Sequence, residues 1–174
     1  IGNLDIINLL INLKDDRRIN VNICNEDAFR WACAYGNLEV VKLLLNLKGD
    51  RRINVHVKDG NAFDWACERG QIEVVKLLLS LEGDRRINVH SKNEYAFQSA
   101  CQNGHLEVVK FLLELEGDRR IDVHANDEDA FRWTCGAGHL KIVKLLLDLE
   151  GDRRVDIHVN DEEAFCLACR NGYL

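Results

Sequence analysis

Five alanines, Ala28, Ala62, Ala96, Ala130 and Ala164, stand 34 residues apart, and each is followed by a phenylalanine. Cys33, Cys67, Cys101, Cys135 and Cys169 keep the same spacing, as do Gly36, Gly70, Gly104, Gly138 and Gly172. The string Asp-Arg-Arg returns at Asp16, Asp50, Asp84, Asp118 and Asp152. A fixed period of this size is the mark of a solenoid, in which each unit buries its apolar face only against its neighbours. The 174 residues hold about five such units. Length here counts units, not globular domains, so the chain reads as one array over 1–174. Its units are 19–52, 53–86, 87–120 and 121–154, with partial units at 1–18 and 155–174.

Composition narrows what such an array can do. Hydrophobic residues make up 47%, which a disordered chain would not carry. No apolar run approaches the roughly 20 residues of a membrane span, and the start has no signal-peptide pattern. The net charge of −6 argues against nucleic acid as the default partner. Five of the seven cysteines share one apolar repeat position, so they read as small buried thiols, and a reducing compartment follows. Cys166 and Cys169 form a lone C-x-x-C, weak evidence for zinc without a second pair. There is no Met, and both ends fall inside a unit. The expectation is a stretch of a longer array, or polar caps outside it.

Within a unit, Ile53-Asn54-Val55-His56 alternates apolar and polar, the period of a short half-buried strand, and predicts a hairpin-like finger. The Asn or Asp that follows in every copy (Asn25, Asp59, Asn93, Asp127, Asp161) reads as a helix N-cap. The acidic residues after it, such as Glu26-Asp27, Glu128-Asp129 and Glu162-Glu163, suit the positive end of a helix dipole. A first helix bearing Ala-Phe-x-x-x-Cys should end at the glycine of the Gly36 position, left-handed there. A second helix, Ile72 to Leu81, is apolar around most of its girth and should be sandwiched. Gly83 is expected to end it, with Arg85 and Arg86 just beyond.

Finger, short helix, glycine turn and long apolar helix, in that order, resemble the ankyrin repeat. The most specific stretch is Asn103-Gly104-His105-Leu106-Glu107-Val108-Val109-Lys110-Phe111-Leu112-Leu113. The family's Thr-Pro-Leu-His opening is replaced by Asp27-Ala28-Phe29-Arg30 and its copies, and the chain has no proline. The period is 34, not the family's usual 33. The Ala-Phe-Arg-Trp-Ala-Cys style is similar to ankyrin arrays of giant DNA viruses of amoebae. The tetratricopeptide repeat shares the period, but it needs helix over nearly the whole unit. The resemblance implies an all-α solenoid that binds a protein through a concave surface of fingers and first helices.

Comparison of the units separates frame from variation. Ala-Phe, Cys, Gly, Val-Lys, Leu-Leu and Asp-Arg-Arg make up the frame. Variation clusters at the finger tips and on helix one, which fits a recognition surface; drift of solvent-facing positions is the plainer explanation. The candidate partner-binding residues are Arg30, Trp31, Tyr35, Asp64, Trp65, Arg69, Tyr95, Gln98, Arg132 and Trp133. Trp is enriched among binding anchors, although this position also packs between repeats. The acidic tips could steer a basic partner or simply serve the helix ends. The Arg pairs could contact phosphate, but the Asp before each pair points to a ladder of ion pairs between adjacent loops. His56, His90, His124 and His158 occupy one position in successive units, too far apart for a shared zinc, so packing or capping is expected.

No G-x-S-x-G, P-loop or H-E-x-x-H motif occurs, and every candidate catalytic residue is repeated. The expectation is a non-enzymatic protein-binding module and adaptor with no cofactor or metal. Its partner would be another protein, not nucleic acid or membrane. The chain is expected to be monomeric and cytoplasmic, in a host cell if viral. The alternative is a structural spacer with no partner of its own.

Overall fold

The computed structural model describes residues 2–172, apart from the side chains of Asn3, Asn25, Lys58 and Asp59 and the surroundings of Gly2 and Gly60. Among the described residues, ten helices follow one another: α1 Gly2–Ile11, α2 Ile23–Ala34, α3 Leu38–Leu45, α4 Val57–Glu68, α5 Ile72–Leu79, α6 Ser91–Gln102, α7 Leu106–Leu113, α8 Ala125–Ala137, α9 Leu140–Leu147 and α10 Val159–Asn171. A 3-10 turn at each Asp-Arg-Arg string joins a second helix to the next first helix. No strand occurs among the described residues, and the fold is all-α.

The chain divides into two compact units. Unit 1 comprises Ile1–Ala66 with Glu73–Ile87; unit 2 comprises Cys67–Ile72 with Asn88–Leu174. In unit 1, α2 packs on α3, and α1 lies along α3. Phe29, Phe63, Val41, Val75 and Leu78 form its buried centre. In unit 2, α6 pairs with α7 and α8 with α9, while α6, α8 and α10 stack in sequence. Phe97, Ala100, Cys101, Val109, Leu112 and Leu146 fill the space between them. Burial pushes the Cys33 and Cys101 thiols far up and Cys135 up to about 11, so these thiols are packing groups.

The fingers differ from the strand expectation. Ile53 and Val55 do alternate inward and are buried, but their backbone pairs with no strand. The Asn54 side chain instead accepts the His56 N–H at 3.0 Å, and the chain turns into α4. Asn20, Asn88, Asp122 and Asp156 close the same Asx turn. The Asn54 N–H is taken by the Glu26 carboxylate of the preceding repeat at 3.2 Å.

The N-cap reading is also corrected. Asn93, Asp127 and Asp161 do not cap. Each is the middle residue of a three-residue left-handed turn, at 92–94, 126–128 and 160–162, with φ between +52° and +64°. Asn and Asp tolerate this conformation best among non-glycine residues, which accounts for their presence there. The Asn25 and Asp59 side chains, assigned the same role from the sequence, lie outside the described residues. Gly83 does not end a helix either. Helix α5 stops at Leu79, and Gly83 opens the following 3-10 turn at φ +64°. Asp15 fills the equivalent place at φ +55°.

The glycine after helix one behaves as expected. Gly104 has φ +78°, and a Cβ there would lie 2.6 Å from the His139 ring. Gly70 and His105 are related in the same way. His105 Nε2 meets the Glu68 carbonyl at 2.8 Å and His139 Nε2 the Gln102 carbonyl at 3.0 Å. These histidines tie one repeat's glycine turn to the next.

Candidate functional site

The frame holds the varied positions rigidly, through the Asp-Arg-Arg strings first. Arg18 pairs with Asp50 at 2.7 Å, Arg52 with Asp84 at 2.7 Å and Arg120 with Asp152 at 2.6 Å. These carboxylates sit below the ordinary range because an arginine of the preceding repeat is bonded to each. In three of the strings the first arginine reaches back to a helix end: Arg51 to the Ile11 carbonyl, Arg85 to Leu45 and Arg153 to Leu113. A guanidinium at a helix C-terminus satisfies a carbonyl that the helix leaves unbonded and opposes its dipole. The Arg loops are therefore the expected ladder.

On this frame, unit 1 presents an aromatic cluster. Trp31 is 46% exposed. It stacks on Tyr35, centroids 5.7 Å apart and planes at 22°, and tilts onto Trp65 at 5.2 Å. Tyr35 is exposed and Trp65 half-buried. Arg30 lies beneath, its guanidinium 5.0 Å from the Trp65 ring centroid, a cation–π contact. Arg30 is 4% exposed and is bonded to Asp27 and the Cys24 carbonyl. It orients the cluster from below. Asp64 is likewise buried.

In unit 2 the candidates are more dispersed. Trp133 is exposed, and its Nε1 donates to Asp129 Oδ1 at 2.9 Å. Arg132 is buried between Asp129 and Glu163. The exposed Tyr95 hydroxyl sits 3.5 Å from Glu68, and Lys92 Nζ lies 5.8 Å from the Tyr95 ring centroid. Gln98 donates to the Asn93 carbonyl at 2.9 Å. Arg69 is exposed. Of the ten candidate residues, then, Arg30, Asp64 and Arg132 lie below the surface and hold it in place. Trp31, Tyr35, Arg69, Tyr95 and Trp133 are exposed, and Trp65 and Gln98 are half-buried.

The acidic tips are less available than the sequence implied. Glu26 and Glu128 are buried and accept backbone N–H groups 28 residues on. Asp27, Asp129 and Glu163 are engaged by Arg30 or Arg132. Glu162 is the accessible one, bonded to His158 at 3.0 Å. The residue that sequence reasoning missed is the buried glutamate: Glu26, Glu94 and Glu128 each close a repeat junction. Its signal was present, a glutamate directly after the recurring Asn or Asp in four of five units.

No group of three or more His, Cys, Asp or Glu side chains is placed to hold a metal among the described residues. No helix among them is long and apolar enough to cross a membrane. No curated protein matches the chain. A family model described as ankyrin repeats in three copies matches residues 1–93 and 97–174. With that match running almost the whole length of a chain whose helix pairs, glycine turns and histidine ties recur every 34 residues, the chain belongs to the ankyrin-repeat family.

Proposed function

We propose that this chain is a non-enzymatic module that binds a partner protein through its fingers and first helices, the surface that is concave in the family, and serves as an adaptor. The family generally mediates protein–protein interaction. The observation that carries the finer reading is the cluster of Trp31, Tyr35 and Trp65, exposed in part and held by the buried Arg30. Large aromatic surface that is already fixed in place loses little freedom on binding, and aromatic anchors dominate interface energetics. Tyr95 and Trp133 extend the same reading to the first helices of unit 2, and Arg69 to the turn after α4. Seven free thiols, several of them buried, suit a reducing cytoplasm.

The test is affinity capture with three baits: the chain itself, a Trp31→Ala/Tyr35→Ala variant, and a Leu140→Ala variant, which changes an exposed second-helix residue away from this surface. A captured protein is then purified and titrated against each bait. The reading expects affinity to fall at least about tenfold for the aromatic variant, as hot-spot truncations do, and to stay unchanged for the Leu140 variant. Equal affinity for all three baits, or no saturable partner, would favour a structural spacer.

A further inference from the structure

Two fingers of unit 2, each leading into a left-handed turn, at 92–94 and 126–128, enclose a polar cleft of about 510 Å³. His90, Asn93 and Glu94 line it from the first finger; Asp122, His124, Asn126 and Asp127 line it from the second. Both fingers belong to whole repeats, 87–120 and 121–154.

The cleft offers acceptors and almost no donors. Both ring nitrogens of His90 are spent, on Glu94 and the Asp118 carbonyl, and both of His124, on Glu128 and the Asp152 carbonyl. Asp122 and Asp127 are exposed, and neither makes an ion pair among the described residues. Asp122 Oδ1 accepts the His124 N–H at 3.0 Å. Asn93 Nδ2 donates to Asn126 Oδ1 at 3.2 Å, bridging the two turns, which leaves the Asn93 amide oxygen as a further acceptor. Among the described residues, no lysine or arginine lines the cleft. Lys92 and Arg132, the bases of α6 and α8, are engaged elsewhere. Lys92 Nζ lies 5.8 Å from the Tyr95 ring centroid, and Arg132 is held by Asp129, Glu163 and the Asn126 carbonyl.

Glu94 adds an unmet demand for a donor. It lines the cleft and is 3% exposed. Its Oε1 accepts from His90 at 2.6 Å and from the Asp122 N–H at 3.2 Å. Its Oε2 is buried and has no hydrogen-bond partner among the described residues. A buried carboxylate oxygen without a donor is costly, and a donor brought to it regains that cost. Glu26 and Glu128 share the orphan oxygen; Glu94 combines it with a cleft roomy enough for a side chain.

We propose that this cleft takes an arginine side chain of the partner protein. Its guanidinium replaces the Asn93–Asn126 bridge and donates to Asp122, Asp127 and Glu94 Oε2. A guanidinium has five donors and no acceptor, the complement of a cleft that only accepts. Its planar fork matches carboxylates, and it gives up water more readily than the compact ammonium of lysine. The inference rests on the reading of the chain as a protein-binding module, and it names what unit 2 recognises.

The test is an NMR titration of the intact ¹⁵N-labelled chain with the peptide acetyl-Gly-Arg-Gly-amide. Two control peptides carry citrulline, which keeps the shape without the charge, or lysine in place of arginine. The arginine peptide should give saturable shifts of the Asn93 and Asn126 side-chain amides and of the backbone amides of 125–128. A dissociation constant of about 1–20 mM is expected for one side chain. The citrulline peptide should bind at least about tenfold more weakly, and the lysine peptide more weakly than arginine. Asp127→Asn should weaken arginine binding about three- to tenfold. The fold accepts that change, since Asn93 already holds the equivalent place. Asp122→Asn is the second variant, because Asn54 and Asn88 close the same Asx turn. Trp31→Ala/Tyr35→Ala should leave the titration unchanged.

No saturable shift, shifts away from the cleft alone, a citrulline or lysine peptide as tight as arginine, or full affinity in both Asp variants would each overturn the proposal. The two readings fail separately. A partner captured through the aromatic cluster without arginine binding would keep the module and remove this site. Arginine binding at the cleft without a captured partner would do the reverse.

Discussion

His90 Nδ1 lies 2.6 Å from Glu94 Oε1, and His90 Nε2 lies 2.8 Å from the Asp118 carbonyl oxygen. A carboxylate and a carbonyl only accept, so both ring nitrogens must donate, and the ring fits as an imidazolium. His124 repeats the arrangement with Glu128 and the Asp152 carbonyl, at 2.6 and 2.8 Å. The Glu94 carboxylate, then the Asp118 carbonyl, hold His90 above its ordinary value; Glu128 and the Asp152 carbonyl do the same for His124.

A pKa raised by folding contributes stability that is complete below the unfolded value of about 6.5. That stability is lost as pH rises through the folded value. Unit 2 should therefore be more stable at about pH 5.5 than at about pH 8. The lowered Asp152 pKa does not oppose this trend, since its contribution is present above the ordinary carboxylate range and is lost only in stronger acid. Unit 1 lacks the complete pair: its corresponding residues are Asn22 with Glu26 and His56 with Gly60. Hydrogen exchange at the two pH values should show amides of α6 and α8 gaining protection in acid and those of α2 gaining less. A His90→Gln/His124→Gln variant should lose the difference. Equal pH dependence of both units would refute the assignment.

Two glycines that look alike in sequence should respond differently to alanine. Gly104 and Gly117 both have positive φ, +78° and +63°. A Cβ on Gly104 would meet the His139 ring, whereas one on Gly117 meets nothing within 4 Å. Gly117→Ala should cost about 1 kcal/mol, for left-handed strain alone. Gly104→Ala should cost about 1–3 kcal/mol more, because it also forces the His139 ring off the Gln102 carbonyl. Gly117→Asp should be nearly neutral, since Asp15 already holds that place. Urea denaturation midpoints separate the three cases, and equal losses at Gly104 and Gly117 would remove the packing role of His139.

The left-handed turn gives a similar contrast. Asp127→Val should destabilise by about 1–2 kcal/mol and Asp127→Gly by far less, because only the branched side chain opposes φ near +55°. An N-cap would behave otherwise, tolerating Ser best. A Ser variant more stable than the Gly variant would restore the capping role.

The period made the frame legible, because Phe29, Phe63, Phe97 and Phe131 solve one packing problem four times, and the invariant Asp-Arg-Arg string marked a contact that every junction needs. The cap could not be read so directly: N-caps and left-handed turns select the same residues, Asn and Asp, and only backbone angles tell them apart. The strand reading failed for a related reason. Burial of Ile53 and Val55 produces a period of two whether or not a neighbouring strand exists. At the candidate surface, variation between units was read as exposure. Arg30 and Arg132 vary because they change together with partners three residues earlier, Asp27 and Asp129, whereas Asp64 follows Asn61 and Gln98 follows Tyr95. Linked changes of that kind point to a buried pair, and they were visible within the single chain.

The two arginines of each string should be separable in experiment. Arg52 meets Asp84 in the open, both side chains well exposed. Salt screens such a pair, so Arg52→Ala should leave the unfolding midpoint close to wild type, with any loss vanishing at about 0.5 M salt. Arg85 donates at 3.0 Å to the Leu45 carbonyl at the end of α3, in a half-buried setting. Arg85→Ala leaves that carbonyl without its donor and should cost about 1–3 kcal/mol, insensitive to salt. Arg85→Lys should recover only part of the loss, since a single ammonium cannot reproduce the planar guanidinium wedged between repeats. Denaturation of the three variants at low and high salt checks the assignment. If Arg52→Ala proves the costlier change, the ion pairs rather than the helix-end bonds hold the loops together.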